Sequence, residues 1–74
     1  MAIPKSLKPI KAESAERIIE KHLKAGTGYW EDGGFEYGFG DFLYTASGKE
    51  YPEWLIRRSV IAGHTYYERG KVSM

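Results

Sequence analysis

Two histidines and a cluster of acids are the groups in this 74-residue chain best equipped for chemistry. His22 and His64 come from opposite ends of the sequence, and neither has a second ligand at the i+3 or i+4 spacing that places two metal donors on one helix face. His22 is read as packing its ring at the edge of a helix near the negative end of its dipole. His64 has Glu68 four residues on, which on a helix would pair a base with a carboxylate; this is the one enzymatic arrangement the sequence offers. Glu31, Asp32, Glu36 and Asp41 could form an acid and base pair or a cation site, yet they lack the spaced carboxylates of a calcium loop and are read as a solvated strand face. The glycines from Gly33 to Gly40 include Gly-Phe-Gly, but no Lys-Ser or Lys-Thr follows, so a phosphate-cradling loop is not indicated. No catalytic residue, cofactor or metal site is assigned, and a non-enzymatic protein is expected.

Binding is the remaining chemistry. On a helical wheel Trp54, Arg57, Arg58, Ile61, His64 and Thr65 fall together, with Glu68, opposite an apolar stripe. Exposed Trp beside Arg is the composition of interface hot spots, so these six are the expected partner-binding residues and another protein the expected partner. The chain is then a small accessory, adaptor or inhibitor module of the kind frequent on phage and other mobile elements. The alternative partner is nucleic acid, with Lys5, Lys8, Lys11, Arg57 and Arg58 on phosphates and Trp54 stacked on a base. The acidic hairpin described below opposes that reading. A homodimer is a further expectation, since a core of this size supplies little net stability.

Composition sets the frame for both. A chain this short holds one core. Apolar residues make up 42% and aromatics 15%, enough to fold. Eleven Lys and Arg against ten Asp and Glu leave a formal charge of +1, with no bulk basic excess to draw nucleic acid. Cysteine is absent, which removes disulfides and thiolate metal sites and favours the cytoplasm. Residues 1–10 hold Pro4, Pro9, Lys5 and Lys8 without a long apolar run, so they read as an extended basic arm rather than a signal peptide. Nothing approaches the roughly 20 apolar residues of a membrane span, and no membrane is expected as partner.

The elements that must position these residues follow from periodicity. Ala15, Ile18, Ile19, His22 and Leu23 recur at helical spacing, with Ser14 as the expected N-cap and Gly26 beyond the C-terminus. Residues 26–47 carry six of the nine glycines, seven aromatics and no Lys or Arg. Phe35, Tyr37 and Phe39 alternate with Glu36, Gly38 and Gly40, which predicts a strand in an aromatic hairpin. An Asp32-Gly33 loop is chosen because it sets Trp30 opposite Phe35, whereas Gly33-Gly34 sets Glu31 against Glu36. A third strand over 41–45 and a turn at Ala46–Lys49 follow. Pro52 opens a second helix, whose inward stripe is Leu55, Ile56, Ser59, Val60, Ala62, Gly63, Tyr66 and Tyr67. The competing reading of 54–68 is a hairpin turning at Gly63-His64, given the strand propensity of Val60, Ile61, Thr65, Tyr66 and Tyr67. The expected fold is α+β: residues 11–70 form a single domain of an N-terminal helix, a two- or three-stranded antiparallel sheet and a C-terminal helix packed on it, with 71–74 frayed.

Overall fold

The computed structural model describes residues 3–4 and 7–73. The elements run β1 (Ile3–Pro4), β2 (Lys8–Ile10), α1 (Ala12–Ala25), β3 (Gly28–Glu31), β4 (Glu36–Tyr44), β5 (Glu50–Ile61) and β6 (His64–Ser73). β3, β4, β5 and β6 form an antiparallel meander, and β1 and β2 both pair along the outer edge of β6. One helix crosses one face. The molecule is therefore mostly antiparallel sheet, and the α+β arrangement with a second, C-terminal helix is overturned.

Residues 54–68 are extended because local chemistry favours a hairpin over a coil. Ala62 and Gly63 adopt φ of 51° and 78°, and Ile61 pairs with His64 across them. Two central residues with positive φ make the turn whose twist matches that of the flanking strands. Val60 then pairs with Thr65 and Ser59 with Tyr66, positions that suit β-branched and aromatic side chains. Pro52 stands inside β5 rather than at a helix start. It faces Phe42 just past a register shift between Phe39 and Phe42, where the ladder is interrupted and a missing N–H is tolerated. That bulge also lets β4 run unbroken to Tyr44, so the separate third strand is absent.

The core lies between α1 and the sheet: Ala15 and Ile19 meet Tyr37 and Phe39 of β4, Ile56 of β5 and Tyr67 of β6. Tyr37 and Ile56 are fully buried. Removing side chains of this size from water stabilises by about 1.5–3 kcal/mol each. The Tyr37 hydroxyl donates to the Ile19 carbonyl at 3.3 Å, and its ring meets Trp30 edge-on at 5.0 Å. Burial pushes the Tyr37 phenol above its ordinary pKa. The ring lies directly over Gly28, where a Cβ would stand 2.6 Å from Cζ of Tyr37. On the other face Leu55 and Val72 are buried, and Tyr29 stacks on Phe42 at 5.8 Å.

Helix α1 buries Ala15 and Ile19 of the expected stripe while Leu23 at its end stays half exposed, and it starts earlier than expected. Lys11 is its N-cap, without a side-chain bond, and Ala15 N–H reaches the Lys11 carbonyl at 3.0 Å; Ser14 lies within the first turn. Gly26 ends it in the left-handed region, and Thr27 N–H bonds back to the His22 carbonyl at 2.9 Å.

The first hairpin takes the register that an argument from pairwise charge rejects. Trp30 pairs with Tyr37 and Glu31 with Glu36, and Asp32–Gly34 form a short 3-10 turn. Phe35 is 54% exposed in the loop instead of sharing the core face. Two features offset the like-charge pair: Trp30 reaches Tyr37 on the buried face, and Arg57 on the next strand bonds Glu36 at 3.1 Å. The C-terminal stretch is not frayed over Lys71–Ser73, which continues β6 and pairs at Val72 and Ser73 with β1.

Candidate functional site

Extended backbone sends alternate side chains to opposite faces, and this divides the six residues expected to form one surface. Trp54 and Arg58 share the helix-bearing face with Ile56, while Arg57 and Ile61 lie on the other. Trp54 is half-buried, stacked against Phe39 with centroids 6.4 Å apart, and its indole N–H donates to the Glu53 carboxylate at 2.9 Å. Arg57 is held by Glu36 through both Nε and Nη2. The Arg58 guanidinium lies 4.8 Å over the Trp30 ring at the margin of the core. Trp54, Arg57 and Arg58 are thus engaged within the fold, each by a different neighbour.

Ile61, His64 and Thr65 fall elsewhere, at the far end of the β5–β6 hairpin. Pairing of β5 with β4 ends at Arg57–Glu36, followed by one bond from Arg58 N–H to the Phe35 carbonyl at 2.7 Å. Pairing of β6 with β2 ends at Tyr67–Ile10. Ser59–Ile61 and His64–Tyr66 therefore pair only with each other among the described residues, leaving both outer edges of an eight-residue ribbon open. Its apolar side chains are exposed: Val60 by 57%, Ile61 by 63% and Tyr66 by 52%. Val60 and Tyr66, which the helical wheel places on an inward stripe, are among them. The signal that would have found them is the strand propensity of 60–67, read with a two-residue turn at Ala62-Gly63 instead of a helical wheel.

The catalytic candidates separate in the same way. His64 and Glu68 lie four residues apart on one strand, about 13 Å by strand rise, so the pairing that needed a helical turn does not form. His22 packs against Phe39 at 4.9 Å and its Nδ1 bonds Thr27 Oγ1 at 2.6 Å. No group of three His, Asp or Glu side chains stands close enough to hold a metal ion among the described residues. None of their helices is long and apolar enough to cross a membrane. Lys5 lies outside the described residues.

What fold and surface define together is an antiparallel sheet with one covering helix and a partly unpaired apolar ribbon at one corner. No family model, curated protein or solved structure matches the chain.

Proposed function

We propose that this chain is a small protein-binding module whose contact element is the ribbon Ser59–Tyr66. The observation that carries this reading is the ribbon itself: two open edges together with exposed Val60, Ile61 and Tyr66. Open strand edges invite unwanted pairing, and sheet proteins blunt them with charge or proline. Here the positions nearest the turn are Val60, Ile61, His64 and Thr65, with neither. An extended segment of a partner that adds to one edge gains backbone hydrogen bonds there, while Ile61 and Tyr66 supply the apolar anchors. The module acts as an accessory, adaptor or inhibitor, and meets its partner in the cytoplasm, since a cysteine-free chain needs no oxidising compartment.

A photo-cross-linking residue placed at position 61, with position 13 on the exposed side of α1 as control, tests this in cells that express the chain. Position 61 should yield a defined protein adduct and position 13 should not. With the cross-linker kept at position 61, Val60→Lys combined with Tyr66→Lys, both at exposed positions of the ribbon, should remove the adduct while thermal unfolding stays within a few degrees. Equal labelling at both positions, or an adduct that survives the double substitution, would refute the proposal. An adduct with the mass of two chains would identify the partner as a second copy.

A further inference from the structure

A second surface, on the helix-bearing face but at the opposite end of β6, gathers charge of one sign. Lys8 of β2 pairs directly with Arg69 of β6, and Lys71 pairs with Trp54 of β5, so all four side chains leave the sheet on one side. With Ile10 they line a cleft of about 430 Å³. Like charges directly opposite on neighbouring strands repel, and Lys8 against Arg69 is such a pair, with Lys71 two residues further along β6. Among the described residues no carboxylate comes within ion-pair distance of any of the three. Glu53, next to Trp54 in β5, accepts the Trp54 indole N–H.

The guanidinium at the centre is fixed in place. Arg69 lies 4.6 Å over the Trp54 ring and 5.7 Å over Phe39, so two aromatic faces hold its plane. Its Nε is buried and has no hydrogen-bond partner. A guanidinium held in this way has little freedom left to lose on binding, and its plane is already oriented for an oxyanion that its terminal N–H groups can meet. The acids Glu31, Glu36 and Glu68 fall in one cross-strand row with Arg57 on the reverse face. The cations of the cleft and this row of acids thus stand on opposite faces of β6 and its neighbours.

We propose that this cleft binds a phosphate group, with Arg69 as the oriented donor, Lys8 and Lys71 flanking it, and Trp54 forming the apolar wall. Three cations in one cleft match the multiple charge and several acceptor oxygens of a phosphate better than a single carboxylate. Two sources carry that chemistry: a free nucleotide, and the backbone of a single-stranded nucleic acid whose base rests beside the indole. The site is separate from the ribbon and does not depend on its role.

Amide chemical-shift titration at low salt with three probes (sodium pyrophosphate, ATP and a twelve-nucleotide oligo-uridine) tests the proposal. Shifts should centre on residues 8, 54 and 69–71. Because Arg69 also packs on two rings, the primary variant is Lys8→Gln with Lys71→Gln, both exposed; it should weaken binding at least about tenfold and leave the remaining spectrum unchanged. Arg69→Lys, which keeps the charge and loses the fork, should weaken it as well. Oligo-uridine binding at least about tenfold tighter than ATP, and weakening about tenfold between 50 and 200 mM salt, marks the polymer as the source. Equal or tighter binding of ATP marks the nucleotide. Absence of shifts with all three probes at millimolar concentration, shifts centred elsewhere, or affinity unchanged in the double variant would overturn the assignment.

Discussion

Gly28→Ala is the substitution that tests the packing of the core most directly. The new methyl group would stand 2.6 Å from Cζ and 2.9 Å from Cε2 of Tyr37, and closer still to its hydroxyl. Tyr37 has no open space to swing into, because it is fully buried and lies between Trp30 and the helix backbone. Overpacking of this kind costs about 1–3 kcal/mol. Displacing the ring also breaks its bond to the Ile19 carbonyl, a further cost of about 1 kcal/mol. The expected loss is about 3 kcal/mol, set against a total of about 4–11 kcal/mol for a domain of this length. For so small a domain that lowers Tm by about 12–24 °C. Calorimetry on Gly28→Ala and on Gly48→Ala separates the clash from backbone strain: Gly48 has φ of 85° with nothing near its Cβ position, so only about 1 kcal/mol is expected there. Adding Tyr37→Leu to Gly28→Ala should cost less than the sum of the two single changes, by about 1 kcal/mol or more. A Gly28→Ala protein within about 1 kcal/mol of the parent, with unaltered near-ultraviolet dichroism, would refute the account.

Three further outcomes follow from the same contacts. Burial raises the phenol pKa of Tyr37, and burial with Glu31 and Glu50 raises that of Tyr29, each from 10.0. The folded state therefore holds those protons more tightly, and the stability they contribute is present below pH 10 and lost as pH rises through the folded values. Phenolate absorbance should show late-titrating tyrosines that join the others on unfolding, and Tyr37→Phe should remove one; an unchanged late fraction would contradict this. Ala62→Asn should raise the unfolding free energy measured in urea by about 0.5–1 kcal/mol, because Ala62 holds φ of 51°, where asparagine is tolerated better. No gain would mean that the turn relaxes at no cost. A double-mutant cycle on Glu36 and Arg57 should give a coupling of about 0.5–1 kcal/mol that shrinks with salt, and Glu31→Gln should recover part of the loss in Arg57→Ala.

Helix α1 was legible because its apolar stripe, its charged face and Gly26 all point the same way. The second half was not, because apolar residues at 55, 56, 60, 66 and 67 fit a helical wheel about as well as a hairpin, and Pro52 reads as a helix start when no bulge is visible in the sequence. The inward stripe's small centre, Ala62 and Gly63, was the turn itself. The first hairpin's register failed for a different reason. Glu31 and Glu36 repel when considered alone, and the compensating Arg57 arrives from a strand twenty-one residues further on. Non-local pairing also hid the cationic cleft, whose members Lys8 and Arg69 meet only because the N-terminal segment returns to β6.

That return has a consequence for how the molecule folds. Residues 3–4 and 8–10 pair with residues 67–73, whereas β3, β4, β5 and β6 each pair with a neighbour in sequence. Closing that edge carries the loop-closure entropy of nearly the whole chain, a cost that the successive hairpins do not bear.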